Sequence, residues 1–141
     1  MGKINVGRLI LGGIVAGIAI DLLDYLVDGI WLAPHWAEQM ALLGRPAFGP
    51  MQIVWFNVTG ILIGLTAIWV YAAIRPRFGA GIKTAVFAGL AVWVLSVLIP
   101  NASFMCIAEL FTKHLTLYTT LGGFVEVVFG TVAGASVYKE A

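Results

Sequence analysis

Charge is scarce in this sequence. Asp, Glu, Lys and Arg make up only 11% of 141 residues, against about 25% in an average soluble domain. Hydrophobic residues make up 61% and mean hydropathy is +1.00, which excludes a soluble globular protein and implies an integral membrane one. Cysteine is nearly absent as well. The lone Cys106 excludes an intrachain disulfide, a CxxC redox pair and a c-type haem attachment site, and it reads as a small apolar filler. Net charge is +1 with no basic run, so nucleic acid is not expected as a partner. HExxH, GxSxG, a phosphate-binding glycine loop and paired haem histidines are all missing. No motif implies a cofactor, and enzymatic activity is not expected.

What is present is long apolar stretches. Four spans separate, at about 9–32, 51–74, 83–100 and 115–138, each continuous enough to exclude barrel strands. Lipid accepts only helices and closed barrels, so the expected fold is all-α: one antiparallel four-helix transmembrane bundle over residues 1–141. Lys3, Arg8, Arg75, Arg77, Lys83 and Lys139 fall on one side of it, against Arg45 and Lys113 on the other. The positive-inside rule then places both termini in the cytoplasm, as expected for a multi-pass protein of a bacterial inner membrane. Trp31, Trp36 and Trp55 fall near the outer surface, and Trp69, Tyr71 and Tyr138 near the inner one. Between Ala33 and Pro50, Pro34 suits a first helical turn and Gly44 a helix end, while Trp36, Met40 and Leu43 recur at helical spacing. A short interfacial helix is expected there.

The first span holds three acids in the run Leu9 to Leu32, LILGGIVAGIAIDLLDYLVDGIWL. A carboxylate at bilayer depth costs at least about 2.5–3.5 kcal/mol, which makes Asp21, Asp24 and Asp28 a functional hypothesis by default. At 100° per residue the three fall within about 60° of one another. Gly13 and Gly17 continue that stripe as a GxxxG, a spacing that admits a neighbouring backbone. Gly60 and Gly64 repeat the spacing after Asn57 in the second span, and Gly130 and Gly134 repeat it after Glu126 in the fourth. Depth counted at about 1.5 Å per residue puts Asp21 with Glu126 near the midplane. Asp24, Asn57, Ser96 and Asp28 then line a polar column running outward.

No lysine or arginine occurs between Leu9 and Pro34, Pro46 and Ile74, Thr84 and Thr112, or Leu115 and Tyr138. Four carboxyls sharing that interior need protons, a bound cation or a basic partner. Three uses are open: proton or cation handling of transporter or channel type; contacts within a homo-oligomer or a larger membrane complex, for example an energy-converting one served by a non-catalytic accessory subunit; and a polar anchor for a lipid or other hydrophobic ligand, with interhelical hydrogen bonding alone as the plainest alternative. His35, Glu38 and His114, in the two outer connections, offer metal-ligand types, although loop histidines are more often interfacial polar residues.

Gly12-Gly13-Ile14-Val15-Ala16-Gly17, the run YAAIRPRFGAG from Tyr71 to Gly81, Lys83-Thr84-Ala85, AGLAVW from Ala88 to Trp93, and Thr131 to Tyr138 together resemble an uncharacterised family of small bacterial four-span membrane proteins. The resemblance implies the same fold and a bacterial membrane location. It implies polar or acidic residues at positions 21, 24 and 28, with asparagine replacing the first and third in some members. It implies no activity.

Overall fold

A computed structural model describes residues 3–140, all helix and connections with no strand among them. Four helices are long and apolar enough to cross a membrane: α1 (Val6–Trp31), α3 (Pro50–Phe78), α4 (Ile82–Cys106) and α5 (Lys113–Val137). The short α2 (Ala33–Leu42) stands between the first two. Local chemistry sets the ends. The Asn5 side chain accepts from the Arg8 amide at 3.1 Å and caps α1. Thr112 does the same for α5 through the Leu115 amide. Pro34 and Pro50 occupy the first turns of α2 and α3, where a missing N–H costs nothing. Gly44, Gly79 and Gly81, at φ of 62°, 84° and 129°, provide the left-handed turns after α2 and between α3 and α4.

The third apolar helix runs further than the sequence suggests, past residue 100 to Cys106. Pro100 lacks the N–H that would bond the Ser96 carbonyl, and its ring crowds that carbonyl. The helix accommodates this by widening to π geometry over Val94–Leu98, immediately before the proline. A second π stretch, Tyr25–Trp31, widens the end of α1 and closes with the Leu32 amide donating to Val27 O at 2.7 Å. Leu32 is then fully buried as the chain turns into α2. Cys106 is exposed at the end of α4, so it fills no core space.

The glycine spacings meet one another inside the chain. A Cβ on Gly64 would lie on the backbone of Gly13 and Gly17, and one on Gly17 would lie 2.6 Å from Ile61 Cα. The GxxxG of α1 and that of α3 are therefore two sides of one contact. The third motif packs against the opposite flank of α1: Gly134 meets Gly12 and Ala16, and Gly130 meets Ile20. Gly89 of α4 rests on Val128 and Thr131 of α5. All six predicted packing glycines are thus used within one chain, leaving any homo-oligomer to other faces.

This packing divides the bundle. Its lower half, the end holding Leu9, Tyr71, Ala85 and Tyr138, is a dry core of small residues around Ala16, Ile68, Ala72, Ala88 and Ala135. Tyr71 and Tyr138 meet edge to face within it, and the Arg75 guanidinium lies 5.5 Å over the Tyr138 ring. These two tyrosines are buried core residues, whereas Trp31, Trp55 and Trp69 are more than half exposed. In the upper half α3 departs from its neighbours. Asp21 stands against Gly60, and every residue from Met51 to Thr59 is exposed.

Gly64→Leu is expected to force α1 and α3 apart, a loss at or above the roughly 1–3 kcal/mol of ordinary overpacking. Leu62→Ala, on the exposed face of the same helix, is expected to leave stability unchanged. Thermal unfolding in mild detergent compares them, and equal melting temperatures would contradict this account of the contact.

Candidate functional site: an acid-lined cavity

The separation of α3 from the bundle opens a cavity of about 1050 Å³ in the upper half. Asp21, Asp24 and Asp28 of α1, Asn57 of α3, Ser96 of α4 and Glu126 of α5 all line it. Its remaining wall is chiefly apolar, including Ile20, Ile53, Phe56, Ile63, Val97 and Val127. Helix α2 and the segment after it form the roof. There Trp36 stacks edge-on against Phe48 and Phe111, and Phe48 against Phe56.

Three of the acids converge. Asp24, Asp28 and Glu126 each direct a carboxylate oxygen to one place, with those atoms within 4.8 Å of one another. The packing of α1 on α5 produces this register. Gly130 faces Ile20 and Gly122 faces Val27, so Glu126, midway between the glycines, falls level with Asp24. Counting depth from the ends of the spans pairs Glu126 with Asp21 and is wrong by about one turn. Asp21 instead faces Gly60 on the α3 side, one turn below the cluster. It lines the same cavity without joining the three.

Each acid has a different local partnership. Trp36 Nε1 donates to Asp28 Oδ1 at 2.7 Å, orienting that carboxyl from the roof. Glu126 is only 6% exposed, and its Oε1 has no hydrogen-bond partner among the described residues. Ser96 Oγ, on the cavity wall, is likewise buried and unpartnered. A buried polar atom without a partner loses its hydration and recovers nothing. Asn57 contributes less than its position suggests, since its Nδ2 donates back to Ile53 O at 2.7 Å within α3. Asn101 Nδ2 bonds the hydroxyls of Thr119 and Thr120, both at 3.1 Å, tying α4 to α5 beside the cavity.

Two residues of the site escape a reading of the sequence. Trp36 looks like an interfacial aromatic, yet it holds Asp28. Gln39 sits on a short polar helix, yet it is 3% exposed. Its Nε2 donates to Leu110 O at 2.8 Å and its Oε1 accepts from the Thr112 amide at 2.9 Å, clipping α2 to the connection before α5. The sequence signal for Trp36 is its spacing, since Trp36, Ala37 and Met40 share the cavity-facing side of α2, whereas Gln39 faces the connection before α5.

His35, Glu38 and His114 do share a smaller pocket of about 220 Å³ with Gln39, Thr112 and Tyr118. Their ligand atoms do not converge. Among the described residues, Asp24, Asp28 and Glu126 are the set of carboxylate, imidazole and thiol groups close enough to hold one ion. Three carboxylate oxygens suit a hard cation, which prefers oxygen ligands, or a shared proton. They offer nothing to a soft metal.

Replacing Gln39 by Ala removes both hydrogen bonds of the clip and is expected to destabilise the roof by about 1–3 kcal/mol. Limited proteolysis of the connection around residues 107–112 reads this directly. Unchanged cleavage rates would show that the clip does not hold the roof.

Compared with known proteins, the chain matches no family model, no curated protein and no solved structure.

Proposed function

We propose that this chain is a cation- or proton-binding membrane protein of transporter type, with Asp24, Asp28 and Glu126 as its binding centre. The carrying observation is the convergence of those three carboxylates in a cavity that no lysine or arginine lines among the described residues. Uncompensated like charges in a poorly hydrated space are untenable. A proton or a cation resolves the conflict with chemistry the site already has. Asp21 lies one turn below as a further carboxyl along the same wall, and Ser96 and Asn57 supply neutral oxygens.

The reading includes an antiparallel bundle with both termini on the cytoplasmic side of a bacterial inner membrane. It is supported by the opposed registers of α1 with α3 and of α1 with α5, and by the excess of basic residues at the lower end. In that orientation the cavity belongs to the outer half and α2 lies at the outer interface. The close glycine packing below Asp21 leaves no open path to the inner side, which favours a carrier over a permanently open channel.

Reconstituted into liposomes, the protein is expected to move protons or sodium ions down an imposed gradient. Asp24→Asn and Glu126→Gln should lower that flux at least tenfold, while Glu38→Gln, outside the cavity, should not. Absence of flux in the parent, or equal flux in all four proteins, would remove the proposal.

A further inference from the structure

We infer that the cavity takes an amphipathic organic monocation, its charged head at Asp24, Asp28 and Glu126 and its apolar body against the walls of α3, α4 and α5. This inference rests on the cation reading above and names the class of cation.

Size is the first argument. A cavity of about 1050 Å³ lies at the upper end of the range for sites that enclose a drug-sized molecule, and a bare ion would leave nearly all of it unfilled. Wall chemistry is the second. Ile20, Ile53, Phe56, Ile63, Val97 and Val127 offer water no hydrogen bonds, and apolar cavities of this kind favour apolar occupants over water. The three converging carboxylates come instead from α1 and α5. Such a division matches a molecule with one charged end.

Charge sign follows from the inventory. The lining holds four carboxyls and, among the described residues, no cationic side chain to pair with them. An anionic or zwitterionic head would add to the conflict, whereas a cationic head relieves it. Glu126 supplies an observation beyond the clustering: it lines the cavity, is nine-tenths buried, and has a carboxyl oxygen, Oε1, without a hydrogen-bond partner among the described residues. Aromatic rings complete the surroundings of the head. Tyr25, Trp36 and Phe48 border the cavity, and ring faces attract organic cations where water is excluded.

Access is the last argument. Ile18, Leu22 and Tyr25 of α1 and Phe56 of α3 border the cavity and are all substantially exposed. The cleft therefore opens sideways between α1 and α3, along faces that are apolar enough to meet lipid. A lipophilic cation partitions to that depth of a membrane and can enter by this side.

Tetraphenylphosphonium is a suitable probe, being a lipophilic monocation without hydrogen-bonding groups. Binding to the full chain in lipid nanodiscs is measured by equilibrium dialysis and by quenching of tryptophan fluorescence. The expected result is saturable binding of one probe per chain, weakened at least tenfold by Glu126→Gln and by Asp24→Asn. Neutral triphenylphosphine oxide should bind at least tenfold more weakly than the cation. Ile63→Trp, which fills the cavity from its apolar wall, should weaken probe binding at least tenfold. Size-exclusion profiles matching the parent establish that each variant is folded, and Ile53→Trp substitutes on the same wall if Ile63→Trp is not.

Failure of the probe to saturate, or equal affinity in the parent and both carboxyl variants, overturns the inference. If sodium or proton flux persists in that case, the binding centre stands and only its ligand class is wrong. If flux is absent as well, both readings fall together.

Discussion

The structure depends on how closely α1 can approach its two neighbours. On one flank its Gly13 and Gly17 admit the backbone of α3 at Gly60 and Gly64, and on the other its Gly12 and Ala16 admit α5 at Gly130 and Gly134. Lipid is as apolar as the helices, so hydrophobic burial gives no net drive to association within a bilayer. Close van der Waals packing must supply it instead. Two glycine contacts on opposite flanks of a single helix lock three helices at once. Alanines and the Tyr71–Tyr138 pair fill the remaining space in that half.

The same constraint produces the cavity. At Gly60 the Asp21 carboxyl fills the space a side chain would need, and beyond that contact Met51 to Thr59 of α3 are exposed. Two of the helices that line the cavity, α4 and α1, are irregular at that level. One widens before Pro100 and the other at Tyr25–Trp31. Such π stretches relax the regular stacking of side chains and are frequent at functional sites. The lower half is thus closely packed, and the upper half holds the cavity and the converging carboxylates. The candidate site occupies one end of the molecule, and the closest helix packing the other.

Three carboxylates within reach of a single ion carry opposite consequences for stability and for binding. Without a ligand or proton they repel one another, and Glu126 has lost its hydration without gaining a partner. In the proposed reading, a bound cation would convert both penalties into affinity. Trp36 and Gln39 hold the roof over this arrangement through hydrogen bonds that cross from α2 to Asp28 and to the 110–112 connection. Their removal would loosen the roof and leave the Asp28 carboxyl without its donor.

Much was legible in the residues themselves. Four apolar runs declare four long helices, because a chain this poor in charge has no other way to satisfy its backbone in lipid. Pro34, Gly44 and the spacing of Trp36 and Met40 announce α2 through local backbone preference alone. The cavity-lining set Asp21, Asp24, Asp28, Asn57, Ser96 and Glu126 was also visible, since a costly polar residue in an apolar run must face inward. Tertiary structure decided the rest. Which glycine motif meets which, that Glu126 pairs with Asp24 and not Asp21, and that Trp36 and Gln39 belong to the site are all matters of register between helices. Register is set by side chains meeting across an interface, and periodicity along one helix does not contain it. The volume of the cavity arises the same way, from two helices parting where one acid interrupts a run of glycines.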